Sequence, residues 1–244
     1  MDLLLNCDLG ETSNSDQLAI ESQVMPHIDF ANIACGFHAG DALVMDKTVQ
    51  LAKKYMVAVG AHPSYPDKFN FGRKSITMPA QDLIACLKYQ IQTLEKATSN
   101  NDLCISYVKP HGALYNDMMK NGHLRSAVMA AVAESQACST LMLQATPEAD
   151  IHKQEAAAFG LALCFEVFAD RAYQDDGSLV SRTQDGAIHN KKKMLDQVKQ
   201  LKQHGTVTTI NGKCLALCAD TLCVHGDNPK AVAEIGQIKA ILAL

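Results

Sequence analysis

Seven short apolar runs, each followed by a longer stretch of helical period, constrain this chain more than any other feature of its sequence. The runs are Leu3 to Asp8, Phe30 to Cys35, Val57 to Ala61, Ile105 to Lys109, Thr140 to Gln144, Leu163 to Val167 and Thr221 to Val224. Between them, apolar residues recur at three- and four-residue spacing over Leu43 to Tyr55, Pro79 to Ala97, Gly122 to Glu134, Pro147 to Phe159, Lys191 to His204 and Pro229 to Leu244. Such alternation builds a parallel sheet, because parallel neighbours are joined only by a crossover, which a helix supplies. Pro79 and Pro229 stand in a first helical turn, where a missing N–H costs nothing. Val207 to Ile210 and Lys213 to Leu217, around Asn211-Gly212, break the rhythm and predict a hairpin that covers a barrel end. With 244 residues, no linker and no internal repeat, the expectation is one domain over residues 1–244 folded as an α/β barrel. The irregular segments His62 to Met78 and Phe168 to His189 are too long for simple connections and read as functional loops.

Composition excludes several classes of function. Hydrophobic residues make up 48% and charged residues 20%, so the chain folds rather than staying disordered. A net charge of -4, with no basic stripe, argues against nucleic acid as a partner, and Lys191 to Lys193 reads as a solvated helix start. No apolar stretch reaches the roughly 20 residues that span a bilayer, and no basic leader opens the chain; the expectation is a soluble, cytoplasmic protein without membrane contact. The nine cysteines are odd in number. Cys35, Cys104, Cys164 and Cys223 lie in or beside apolar runs and are expected to be buried free thiols. The spacing of Cys214, Cys218 and Cys223 matches no zinc knuckle.

Groups able to do chemistry gather just after the strands. Asp8 and Glu11 follow the first, His38 and Asp41 the second, and His62, Asp67 and Arg73 the third. Lys109 and His111 follow the fourth, Glu166, Asp170 and Arg171 the sixth, and His225 and Asp227 the seventh. In a parallel barrel every carboxyl end opens on one face, so residues far apart in sequence meet there. Taken singly, each has a plainer reading: a histidine satisfied within the structure, or an aspartate capping a helix, as for Asp41 before Ala42 and Asp227 before Pro229. Together, four histidines with Asp8 and Lys109 suit hydrolysis of an amide, which needs a base for water, a cation for the oxyanion and an acid for the leaving nitrogen. The same groups suit a divalent metal, and no H-E-x-x-H or similar spacing decides between the two. There is no phosphate loop, no dinucleotide fingerprint and no nucleophile elbow. Cys35 reads as a packed thiol rather than a nucleophile.

Seven motifs stand in order along the chain: Asn6-x-Asp8-x-Gly10-Glu11, the run from Ala31 to Asp41 that includes Asn32, Gly60-Ala61-His62-Pro63-Ser64, Phe71-Gly72-Arg73, Val108 to Asn116, Glu166 to Arg171 and Val224-His225-Gly226-Asp227. In them the chain resembles the LamB/YcsF family, the A subunits of 5-oxoprolinase. Cys7, Phe30, Lys74 and Gln92 depart from the residues expected of the family, and Lys74 loses the two-pronged donor an arginine would offer. The resemblance implies a TIM-like (β/α)7 barrel of the glycoside hydrolase/deacetylase type. It implies conversion of 5-oxo-L-proline to L-glutamate at the expense of ATP, with 5-oxoprolinase subunits B and C as partners. ATP makes chemical sense because a five-membered lactam is a poor electrophile until its amide oxygen is phosphorylated. On this view Asp8 with a histidine among His38, His62 and His111 handles water, His225 joins the catalytic set, and Lys109 balances charge. Arg73, Arg171 or Arg182 would grip the substrate carboxylate, with Asn6, Glu11, Asn32, Glu166, Asp170 and Asp227 completing the pocket. The competing expectations are a metal-dependent deacetylase-like hydrolase acting alone and a non-catalytic subunit that captures a small acid.

Overall fold

Seven parallel strands close into a ring in which each is hydrogen-bonded to two neighbours, in the order β1-β2-β3-β4-β5-β6-β9. The structure is a computed structural model that describes residues 2–12, 15–226 and 228–244, with backbone alone for 15–18. The barrel strands are β1 (Leu4–Leu9), β2 (Phe30–Ala34), β3 (Ala58–His62), β4 (Ile105–Val108), β5 (Thr140–Gln144), β6 (Ala162–Phe168) and β9 (Thr221–Val224). All seven lie within a residue or two of the apolar runs. The two remaining strands, β7 (Thr206–Thr208) and β8 (Cys214–Ala216), form the antiparallel hairpin around Asn211-Gly212.

Helices pack around the ring: α1 (Ser15–Val24), α2 (Ala42–Tyr55), α3 (Ala80–Asn100), α4 (Gly112–Lys120), α5 (Gly122–Ser135), α6 (Ala149–Ala157), α7 (Lys191–His204), α8 (Pro229–Val232) and α9 (Ile235–Leu242). Helix α3 buries the stripe its spacing foretold, turning Leu83, Ile84, Leu87, Ile91 and Leu94 onto the sheet. The helix ends follow local chemistry. Asp41 caps α2 by accepting from Leu43 N and Val44 N at 2.9 Å, and α7 ends at Gly205 with φ 64. Asn228 caps α8, accepting from Ala231 N.

Three expectations are corrected. The segment 229–244 is two helices, separated near Glu234, whose carboxylate is 2.6 Å from Lys191. Helices α1 and α4 stand where the sequence reading placed none. Cys104 is exposed and Cys164 only half-buried, whereas Cys35 and Cys223 are buried free thiols as expected. The hairpin braces the long 168–189 loop: Ile210 N donates to Tyr173 O at 2.8 Å and Thr209 Oγ1 to Asp175 at 2.5 Å. Among the described residues no helix is long and apolar enough to cross a membrane.

Candidate active site

Within the barrel, the period of two that sends Leu5, Cys7 and Leu9 outward turns Asn6 and Asp8 inward. Strand register places Asp8 beside Asn32, Asn32 beside Gly60, and Gly60 beside Tyr107. A Cβ on Gly60 would lie 2.2 Å from the Tyr107 ring, so glycine is what lets the tyrosine cross the interior. There its hydroxyl donates to Asn32 Oδ1 at 2.6 Å, while Asn32 Nδ2 donates to Asn6 Oδ1 at 2.8 Å and Asp8 Oδ1 at 2.7 Å. Lys109 closes this floor: its ammonium is 2.9 Å from Asp8 Oδ1, 3.1 Å from Glu166 Oε2, 3.3 Å from Asn6 Oδ1 and 3.2 Å from Cys223 Sγ. Burial works against both charges, but the pair outweighs it; the Asp8 carboxyl is held well below the usual carboxylate range and the Lys109 ammonium well above the usual lysine value.

Above the floor, Glu11 and three histidines form a second cluster. Glu11 Oε1 lies 3.2 Å from His38 Nε2, 3.2 Å from His111 Nδ1 and 3.9 Å from His62 Nε2. His62 Nε2 is also 3.6 Å from Asp8 Oδ1, which links the two layers. The rings of His38 and His111 stack with centroids 3.8 Å apart. Burial lowers the pKa of His38 to about 4 and of His62 to about 3. It works against Glu11 as well, yet the neighbouring His111 and His38 hold that carboxyl far below its ordinary value. The loop after β3 seals the cluster. Phe71 takes a left-handed backbone (φ 56), rare for a bulky residue, and so aims its carbonyl at His111 Nε2 at 2.9 Å. Gln90, buried on α3, ties down the start of that loop by bonding both N–H and C=O of Ser64.

At the mouth, His225 Nδ1 is 2.9 Å from Asp170 Oδ1, and Asn228 donates to the other carboxylate oxygen at 2.7 Å. The His225 ring stacks on Phe168 with centroids 5.3 Å apart. Burial opposes ionisation of Asp170, but His225 and Asn228 keep it charged far below the usual range. Arg171 donates to Val180 O at 2.6 Å, and its pKa falls to about 10 through burial and then the nearby Arg182. Arg182 also acts on Asp170, and Arg73 stacks over Phe71 at 5.0 Å and acts on Arg171. The three arginines thus share one electrostatic neighbourhood. Among the described residues, two groups bring ligand-type atoms within 4.8 Å of one another: Glu11, His38, His62 and His111, and Asp8, Cys223 and His225.

The structure therefore gathers Asn6, Asp8, Glu11, Asn32, His38, His62, Lys109, His111, Glu166, Asp170, Arg171 and His225 at one end of the barrel interior, with Arg73 and Arg182 beside its mouth. Asp227 lies outside the described residues. Cys35 is pushed up to about 12 by burial, which leaves it no nucleophile. Cys214 and Cys218 are exposed, whereas Cys223 is buried. Sequence reasoning missed Tyr107, Phe71, Asn228 and Gln90. A period of two back from Lys109 points to Tyr107, but the other three act through a backbone carbonyl, a partner carboxylate and a loop, which leave no spacing to read. It also missed Glu21, buried at the Gly10 turn, where it accepts from Gly10 N and Thr48 Oγ1 at 2.8 Å.

Fold and site together define a TIM-like barrel of seven parallel strands with an ionisable pocket at their carboxyl ends. The LamB/YcsF family model matches residues 3–243, and the chain belongs to the LamB/YcsF family. It is similar to the 5-oxoprolinase A subunit of Pseudomonas fluorescens (strain Pf0-1), 46% identical over 242 residues that cover 98% of this chain and 96% of the relative. The 5-oxoprolinase A subunit of Vibrio vulnificus (strain CMCP6) is 44% identical over 240 residues, covering 98% and 96%. Among solved structures, the lactam utilization protein from Thermus thermophilus superposes with a TM-score of 0.86 at 31% identity, covering 98% of this chain and 96% of that one.

Proposed function

We propose that this chain is the A subunit of a 5-oxoprolinase, which opens the lactam of 5-oxo-L-proline to L-glutamate at the expense of ATP and works with B and C subunits. The names of its full-length relatives support the substrate. The single structural observation that supports the chemistry is the His225–Asp170 pair, 2.9 Å apart and set beside Asp8. With Nδ1 given to Asp170, His225 has Nε2 for taking a proton from the attacking water and returning it to the ring nitrogen as the C–N bond breaks. His38 and His62 are poorly poised for that task, because burial leaves them neutral down to about 4 and 3. Lys109 is surrounded by Asp8, Glu166, Asn6 and Cys223, so we assign it to holding Asp8 ionised and in place rather than to contacting the oxyanion. The arginines near the mouth suit the substrate carboxylate and the phosphates that ATP contributes.

ATP-coupled turnover tests the reading. Purified chain combined with the B and C subunits is expected to show ATP hydrolysis that depends on 5-oxoproline and produces glutamate, and the chain alone to show none. A complete mixture whose ATP hydrolysis is indifferent to 5-oxoproline contradicts it.

A further inference from the structure

The lone pairs around Glu11 do not balance with the protein's own protons. His62 Nδ1 lies 2.7 Å from the backbone carbonyl of Lys109, and His111 Nε2 lies 2.9 Å from that of Phe71. A carbonyl oxygen only accepts, so each of these nitrogens carries the hydrogen of its ring. The opposite nitrogens, His62 Nε2 and His111 Nδ1, are then both lone pairs in the neutral rings, yet they face each other at 2.9 Å. Glu11 Oε1, a third acceptor, is 3.2 Å from His111 Nδ1, and His38 Nε2 is 3.2 Å from that same oxygen. Four ligand-type atoms thus converge in a buried site, and between the facing lone pairs of His62 and His111 a proton or a cation must sit.

We infer that Glu11, His38, His62 and His111 form a binding site for a divalent transition ion, with zinc as the fitting case. Four ligands at ~2.0–2.1 Å in a tetrahedron lie about 3.3 Å from one another. The separations here run from 2.9 Å to no more than 4.8 Å and bracket that value. Three imidazoles and one carboxylate suit zinc and its neighbours, not magnesium or calcium, which take oxygen. The backbone carbonyls that receive the far nitrogens of His62 and His111 are the outer partners a metal-bound histidine requires, and they fix its tautomer. The left-handed Phe71, unfavourable by itself, supplies one of them. An ion in such a place polarises a carbonyl or acidifies water. The competing occupant of the point is a proton shared between His62 and His111.

The assignment rests on side-chain geometry and not on the lactam reading, and its test reads metal, not turnover. Full-length chain is stripped with chelator, dialysed against Zn²⁺ and its metal content measured; Co²⁺ is then substituted and its visible spectrum recorded. The expected result is one equivalent of zinc per chain, a rise in melting temperature on loading, and strong cobalt bands of tetrahedral type. Glu11→Gln and His111→Gln, each shown to melt cooperatively in the stripped state, are expected to weaken binding by more than about 100-fold, beyond the loss typical of an outer-shell change. His225→Gln is expected to bind zinc as the natural chain does. Wild-type chain that retains no stoichiometric zinc overturns the proposal in favour of the shared proton. Zinc that is lost in His225→Gln and kept in Glu11→Gln overturns it in favour of the Asp8, Cys223 and His225 group.

Discussion

Removing the ammonium of Lys109 leaves Asp8 and Glu166 facing each other in a buried interior with their common cation gone. Breaking a buried pair in this way costs about 3–5 kcal/mol. Lys109→Met is therefore expected to lower unfolding stability by that amount in urea titrations, and an unchanged midpoint would show that the floor does not depend on the charge. Asp8→Asn separates catalysis from folding more cleanly, because the amide keeps the shape and Lys109 keeps Glu166. In the reconstituted complex it is expected to lose turnover by about 10²–10⁴-fold while its melting curve stays cooperative. Asp170→Asn acts through another residue: it can no longer fix the tautomer of His225. Its signature is a fall in kcat of about 10²–10⁴-fold with a shifted pH profile and little change in KM.

At the scale of elements, close approach between strands decides which residues the interior accepts. Gly60 on β3 lies under the Tyr107 ring of β4, and a Cβ there would sit 2.2 Å away. Gly60→Ala forces the ring aside and disturbs its 2.6 Å bond to Asn32. A loss of about 1–3 kcal/mol is expected from such overpacking, measured by urea unfolding, and Gly60→Ala with Tyr107→Phe together should not recover it fully, because the clash is with the ring and not with its hydroxyl. A stability equal to the natural chain's would mean that β3 and β4 can separate at no cost. The same scale explains why α4 was hidden in the sequence. Gly112 has φ 60 and abuts Gly72, whose carbonyl accepts from Ala113 N at 2.9 Å, so α4 starts at a loop contact rather than at a cap. No Ser, Thr, Asp or Asn marks that start.

For the molecule as a whole, the carboxylates and histidines of the site set one direction of pH dependence, which Glu21, raised by burial, opposes. His38 and His62 have folded pKa values of about 4 and 3 against an ordinary 6.5, so the unfolded chain binds more protons between those limits. Stability therefore falls as pH drops from about 6.5 toward 4 and 3. Asp8, Glu11 and Asp170, all held below the ordinary carboxylate value, add their loss as pH falls below the unfolded carboxylate range of about 4. Urea midpoints measured from pH 7 down to pH 4 are expected to decline steadily, and a flat profile would remove the neutral-histidine assignment.

The order of strands and helices was legible along the chain because burial imposes a period: every barrel strand lies where an apolar run falls, and α3 buries the stripe its spacing marks. The clustering of Asp8, His38, His62, His111, Lys109 and His225 followed from the same reading, since parallel strands bring their carboxyl ends to one face. Pairing was not legible. Nothing in the spacing of Asp170 and His225 says that they share a hydrogen bond, or that His62 Nε2 and His111 Nδ1 face each other at 2.9 Å. Those facts depend on strand tilt, side-chain rotamers and the carbonyls of Phe71 and Lys109, which meet only when the ring has closed. Local sequence dictates which groups arrive at the pocket; the distances between them, and so the division between a proton relay and a metal cradle, arise from contacts between segments far apart along the chain.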